Sequence, residues 1–480
     1  MKAIAQFVFA CLCWSWTLGL TGLQAQPTDD QRRLAEFGRL SQQIMKTADP
    51  DQQIALVEQA QQVFSSIRTW PANLPPREGI APELRALLGQ AYLARKTGDP
   101  VENLETAIGH LEAAVASGVR RAGQPVAWGV SQHALAFAYL SRPRGIRADN
   151  MEAAIRAAQA AVSVLTPQAN PNEWAVAQIT LAEALINRER GSRSENLEAA
   201  LQACELVLSV MNAQSLPVVW LRAERMRAIA YYQRVHGTRG ENLEKAITHG
   251  EAALAAANRI NSALEAALVR NTLAAAYFDR AAGDRSDNIE RAITHNLQAA
   301  KVLTREAWPH LWAAIQNNLG TNYNARIAGS RVDNIEHSIA AFEAALTVTV
   351  REAYPREWAE TQHNLAQAYF WRTTGDMADN QEKAIAMMEA TLPVWQSNGM
   401  TAQWARSLNN LAVAYQFRMR GERSANIERA IKANQAALDC APARQGAHRV
   451  GRVAEQSRQR LYGPDRRRST RQHRAQHSEL

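Results

Sequence analysis

The chain predicts an all-α fold, a curved solenoid of stacked helix pairs, and three observations lead there. The first is a beat of 46 residues. An Asn in Glu102-Asn103-Leu104-Glu105 returns as Asn150, Asn196, Asn242, Asn288, Asn334, Asn380 and Asn426. A Gly precedes each by five residues, from Gly98 and Gly145 through to Gly421. The second is that large residues keep the same time. Trp128, Trp174, Trp220, Trp312, Trp358 and Trp404 are in step, with Ala266 in the missing slot, and so are seven Tyr from Tyr92 to Tyr415, with Leu185 as the exception. An Arg stands three positions after each of these, from Arg95 to Arg418. The third is composition. The chain is 46% hydrophobic but only 6% aromatic, and rich in Ala, Leu, Gln, Glu and Arg, which suits packed helices better than sheets.

Each unit divides into two helices. Trp358, Leu365, Ala366, Tyr369 and Arg372 fall at i, i+7, i+8, i+11 and i+14, one face of a first helix. Gly375 then ends the segment in a left-handed turn. A second helix opens at Asp287-Asn288-Ile289-Glu290, where Asp287 and Glu290 have capping-box spacing, and Ile293, Leu297 and Ala300 supply its apolar stripe. A Pro such as Pro309 or Pro355 marks the next unit. Arg at the end of the first helix suits the negative end of its dipole and is expected to reach the acidic cap of the following helix. A helix pair cannot bury its apolar stripe alone, so the units must stack.

The array occupies residues 81–440 as eight repeats. Residues 27–80 lack the beat, but amphipathic stretches at 34–45 and 54–67 read as an N-terminal helical cap. Residues 1–25 read as an export signal: Lys2, an uncharged apolar run over 3–20, then Leu23-Gln24-Ala25 with cleavage before Gln26. An uncleaved anchor is the competing reading, since 18 residues just span a bilayer. With cleavage, the mature chain has no membrane span and is periplasmic or secreted; a misassigned start would leave it cytoplasmic.

From residue 441 onward the beat stops. This tail holds ten Arg and no Lys against Glu455, Asp465 and Glu479, a net charge of +7 out of +8 for the whole chain. The array itself is therefore near neutral, and no nucleic-acid partner is expected. The tail reads as disordered. Two origins fit it: a basic arm, or a frameshifted end to a ninth repeat.

The units resemble tetratricopeptide repeats. Leu365-Ala366-x-x-Tyr369 is similar to that family's first-helix signature, and Ser338, Phe342 and Ala345-Leu346 to its second-helix pattern. The resemblance covers about 360 residues, though the unit is 46 residues long rather than the family's roughly 34. The long form, with Gly-x-x-x-x-Asn-[Leu/Ile]-Glu, resembles arrays of bacterial proteins that also carry a caspase-like (CHAT) peptidase domain. The resemblance implies a right-handed superhelix of helix pairs and a protein or peptide partner held on its concave face.

Residues common to every copy read as the mould of the fold, so specificity belongs to those that vary. Asn318, Asn364 and Asn410 share one slot in consecutive units, with Asn317, His363, Asn409 and Arg406 beside them or one turn earlier. An amide side chain offers a donor and an acceptor together, matching the backbone of an extended peptide. The alternative is that these Asn bond across neighbouring helices.

No catalytic constellation emerges. There is no Gly-rich phosphate loop, no His-Glu-x-x-His and no Gly-x-Ser-x-Gly, so neither an enzyme nor a cofactor is expected. Cys11 and Cys13 lie in the apolar start; Cys204 reads as a small core residue, too far from Cys440 for a framework. His249 and His295 share a slot, but without a third ligand no metal is expected. The sequence thus points to a non-enzymatic binding scaffold. The second reading is a regulatory array whose peptidase domain is lost or separately encoded.

Overall fold

The computed structural model describes residues 28–439, apart from 72–73, 75–76, 118–122 and 215; the segment read above as an export signal, Cys11, Cys13, Cys440 and the basic tail lie outside. Among the described residues there are eighteen α-helices and no strand. Among these residues no helix is long and apolar enough to cross a membrane. The chain divides into two compact units after Ala276.

The first unit begins with an antiparallel pair, α1 (Asp29–Lys46) and α2 (Pro50–Ser66). Thr28 caps α1 with a reciprocal capping box to Gln31. Leu40, Ile44, Ile54, Val57 and Phe64 of this pair join Leu84 and Leu88 of α3 (Ile80–Ala94) in one core, so the pair covers the apolar side of the first repeat. The repeats of this unit continue as α4 (Pro100–Val115), α5 (Pro125–Ser141), α6 (Arg147–Val162), α7 (Pro171–Asn187), α8 (Arg193–Val210), α9 (Pro217–Gln233) and α10 (Arg239–Arg259). Helix α11 (Ala263–Asp279) carries the division near its end.

The second unit holds α12 (Arg285–Ala300), α13 (Pro309–Ala325), α14 (Arg331–Leu346), α15 (Pro355–Trp371), α16 (Met377–Ser397), α17 (Thr401–Gln416) and α18 (Arg423–Asp439). Its core runs through Ile335, Ile339, Phe342, Leu365, Tyr369, Ile385, Leu408 and Tyr415. Gly320 illustrates why its slot takes only small residues: a Cβ there would stand 2.6 Å from the Phe342 ring. Ser338 Oγ donates to the Gly320 carbonyl at 2.7 Å in the same crossing. Among the described residues α18 is the last helix. Ile431 is 54% exposed there, whereas its counterparts Ile385 and Ile339 are buried beneath the next unit's first helix.

The beat residues build one junction, repeated. The glycine between paired helices takes φ of +76 to +81° at all eight positions. The buried Asn five residues later donates Nδ2–H to the carbonyl just before that glycine, as from Asn334 to Ala328 at 2.9 Å and from Asn426 to Arg420 at 2.8 Å. Its Oδ1 accepts from the Arg guanidinium, at 3.3 Å for Arg418 and Asn426. The same Arg forks onto a carboxylate: Arg372 on Glu336 at 2.8 and 2.8 Å, Arg326 on Glu290 at 2.7 and 3.0 Å.

Three expectations are corrected here. The Arg carboxylate partner belongs to the second helix of the preceding unit, not to the cap of the following one. Asp287 does not open α12; Asp284 is the N-cap, accepting from the Asp287 N–H at 2.9 Å, because the helix starts a turn earlier and Glu290 is taken by Arg326. Leu297 is exposed rather than part of the buried stripe, while Ile289, Ile293 and Asn296 face the core.

The Asn staple has a measurable worth. Asn334→Ala leaves the Ala328 carbonyl without its donor in a half-buried turn, and is expected to cost about 1–3 kcal/mol in urea unfolding of the full chain. Asn334→Asp keeps the shape, cannot donate, and should fare no better. Unchanged stability in both would mean that the turn holds without the staple.

Candidate functional site

The expected site residues lie along the first helices of the second unit, and the structure links several of them across repeats. Asn364 Nδ2–H on α15 donates to Asn317 Oδ1 on α13 at 3.3 Å. Asn410 Nδ2–H on α17 donates to His363 Nε2 on α15 at 3.0 Å. The same rung recurs in the first unit, where His133 Nε2 meets Thr180 Oγ1 at 3.0 Å. A polar ladder therefore runs from one first helix to the next, as the helix-to-helix alternative required. Asn317, Asn318, Asn364, Asn409 and Asn410 are all half-buried, and Arg406 is exposed.

His363 has no surface to offer. It is fully buried, and its other ring nitrogen meets Ser407 Oγ at 2.9 Å. The Trp395 indole N–H donates to that same hydroxyl oxygen at 3.1 Å. A neutral ring protonated at Nδ1 satisfies every partner, with Nδ1–H donating to Ser407 and Nε2 accepting from Asn410. Burial, aided by the nearby Arg406 charge, pushes its pKa down to about 3. As a candidate for direct contact with a peptide His363 is therefore withdrawn; it ties α15 to α17, and Trp395 of α16 joins at the Ser407 hydroxyl.

A groove of about 520 Å³ opens beside this ladder. Asn410 and Val413 of α17 line it with Gln367, Phe370 and Trp371 of α15 and Asn324 of α13. Ile327 stands at the turn after α13, and Arg285, Ile289, Arg331 and Met388 come from second helices. Of the expected residues, only Asn410 is on its wall. Trp371 and Phe370 form an edge-on pair with centroids 5.1 Å apart.

The sequence reading missed Arg285 and Arg331. They recur at the first position of second helices as Arg147, Arg193, Arg239, Arg285, Arg331 and Arg423, a beat that was available in the sequence. Each of Arg193, Arg239, Arg285 and Arg331 donates to a carbonyl at the end of the paired first helix: Ile186, Tyr232, Phe278 and Asn324. The guanidinium thereby meets the negative end of that helix.

No group of three His, Cys, Asp or Glu able to hold a metal occurs among the described residues. His249 Nδ1 lies 2.6 Å from Glu224 and its ring stacks on Tyr231; His295 stacks on Tyr277. Cys204 is buried, which pushes its thiol up to about 12.

No protein-family model and no curated protein matches the chain. Among solved structures it is similar to a circular tandem repeat protein with novel repeat topology and enhanced subunit contact surfaces, at 14% identity. The match covers 95% of this chain and 98% of that one with a TM-score of 0.21, too low to bear on function. The fold class stands on the helices themselves: this is an all-α tandem-repeat protein.

The buried imidazole makes acid stability informative. His363 is neutral when folded and protonates near its ordinary 6.5 when unfolded, so its contribution is intact above pH 6.5 and is lost as pH falls toward 3. His363→Gln is expected to flatten the fall in Tm between about pH 6.5 and 5, above the range where carboxylates titrate. An unchanged slope would mean that the ring is not buried as a neutral group.

Proposed function

We propose that this protein is a non-enzymatic scaffold that holds a peptide or protein segment against the first-helix face of a tetratricopeptide-like array. The observation that carries this reading is the composition of the groove. Its first-helix wall is drawn from positions that differ between copies. Gln367 and Val413 share a slot held elsewhere by Phe137, Glu183 and Ile229. Trp371 has Gln233, Asp279 and Ala325 as its counterparts. The residues that build the junction hardly vary, so the variation is concentrated where a partner would be read.

The closer likeness to tetratricopeptide repeats is supported by the Ser338 and Phe342 contacts at Gly320, which use the second-helix pattern for close helix crossing. The apolar N-terminal segment supports delivery to the periplasm or beyond, with a partner in the bacterial envelope. On this reading the array has no chemistry of its own and contributes geometry alone.

The test is crosslinked capture from the native envelope, read by mass spectrometry. Wild type is compared with Gln367→Arg/Val413→Asp, after circular dichroism shows equal helix content. A partner captured by wild type and lost in the variant supports the reading. A partner retained by both places binding on another face. Capture of nothing specific overturns the scaffold assignment.

A further inference from the structure

The first three turns of α18 closely repeat those of α12. Asn426-Ile427-Glu428-Arg429-Ala430-Ile431 matches Asn288-Ile289-Glu290-Arg291-Ala292-Ile293, and Asn434 stands in the slot of Asn296. On α12 this face is covered. Ile289, Ile293 and Asn296 are buried, and Glu290 holds Arg326 of α13 at 2.7 and 3.0 Å. On α18 the same face is open. Ile427 is 39% exposed against 1% for Ile289, and Asn434 is exposed. No arginine among the described residues pairs with Glu428 as Arg326 does with Glu290.

At six earlier junctions the equivalent carboxylate binds an arginine from the next unit's first helix, from Glu105 with Arg142 to Glu382 with Arg418. The α18 face is thus one more copy of an interface that the chain already makes. A solenoid ends stably on a polar outer face. Helix α1 has one, with Arg32, Glu36, Arg39, Gln42 and Gln43 exposed. Helix α18 instead presents an apolar stripe with a carboxylate beside it, which selects a first-type helix ending in arginine. The chain has no such helix at the right register. The slots 46 residues after Ala412, Ala414 and Arg418 hold Arg458, Arg460 and Pro464. Guanidiniums would then fall where other copies bury Ala, and Glu428 would lack its arginine. A second copy stacked head to tail would present α1, whose C-cap is Thr47 where α13 and α15 have Arg326 and Arg372.

We propose that the open face of α18 is a second docking surface, which receives in trans a helix of the first-helix type from another polypeptide. The partner helix lays its apolar stripe over Ile427 and Ile431. Its terminal arginine closes a bidentate pair with Glu428. The surface shares no residue with the groove on α13, α15 and α17, and it extends the array by a unit that another chain supplies.

The probe is a fluorescent, hydrocarbon-stapled peptide of residues 309–326, the α13 sequence with its Arg326, titrated into the full chain and read by anisotropy. The staple holds a helix that would be marginal alone in water. Saturable binding is expected, and Ile427→Asp/Ile431→Asp should abolish it with helix content unchanged by circular dichroism. Glu428→Gln in the chain, or Arg326→Gln in the peptide, should each weaken binding about fivefold, and both together no more than either alone. The groove variant Gln367→Arg/Val413→Asp should bind the peptide as wild type does. Binding that survives Ile427→Asp/Ile431→Asp, or that is lost in the groove variant, places the peptide elsewhere and overturns the proposal. Binding indifferent to both charge changes overturns the arginine-ended partner. Absence of binding overturns the proposal too, and sedimentation velocity then names the occupant. A dimer split by Ile427→Asp/Ile431→Asp assigns the face to a second copy, and any other result assigns it to residues 440–480.

Discussion

Each turn between paired helices is tied by one buried amide, and the register of the repeats depends on it. The Asn donates to the carbonyl that precedes a left-handed glycine, which fixes the path of the turn. Its oxygen then helps to aim an arginine from the end of the first helix. That arginine closes a bidentate pair with a glutamate on the previous unit, as Arg372 does with Glu336 and Arg418 with Glu382. One junction therefore sets both the geometry within a pair and the register between pairs. The carboxylates respond as expected: the arginine hydrogen bonds hold Glu336 and Glu382 below the ordinary range. Much of the pairing is solvent-accessible, so its value lies in orientation more than in raw stability.

The hydrophobic effect supplies the driving force, and the junction directs it. Small residues in the Leu-Ala slots allow the crossings, as at Gly89 against Leu111 and Gly320 against Phe342. The N-terminal pair extends the same logic without the beat. Asp51 of α2 accepts from Arg95 at 2.6 Å, the role that glutamate plays in every later junction described. At the other end α18 has no following helix among the described residues, and the face that is buried in each earlier second helix is open to water.

Conserving the junction frees the remaining positions. The first helices carry a polar ladder in one register and a variable wall in the next. His363 belongs to the ladder, where a neutral imidazole ties α15 to α17. Gln367 and Phe370, one and two turns further along the same helix, belong to the wall. A shift of a single turn on one helix separates the ladder from the groove wall, and so the Asn run seen in the sequence mixed the two.

The sequence by itself determined the helix pairs, the eight units and the turns. Gly, Asn, Tyr and Arg at constant spacing encode local geometry, and local geometry repeats when the residues do. It also contained the arginines at the start of second helices and the Ser, Thr or Asp caps after the glycines, although Asp287 stood close enough to the helix start to mislead. Only the tertiary structure decided which carboxylate each arginine takes, because Glu336 is 36 residues from Arg372 and is brought there by stacking. It alone buried His363 and gathered Phe370, Trp371, Arg285 and Arg331 around one groove. Periodicity reports which side of a helix a residue occupies, whereas burial and charge at that side depend on what the neighbouring helix places opposite.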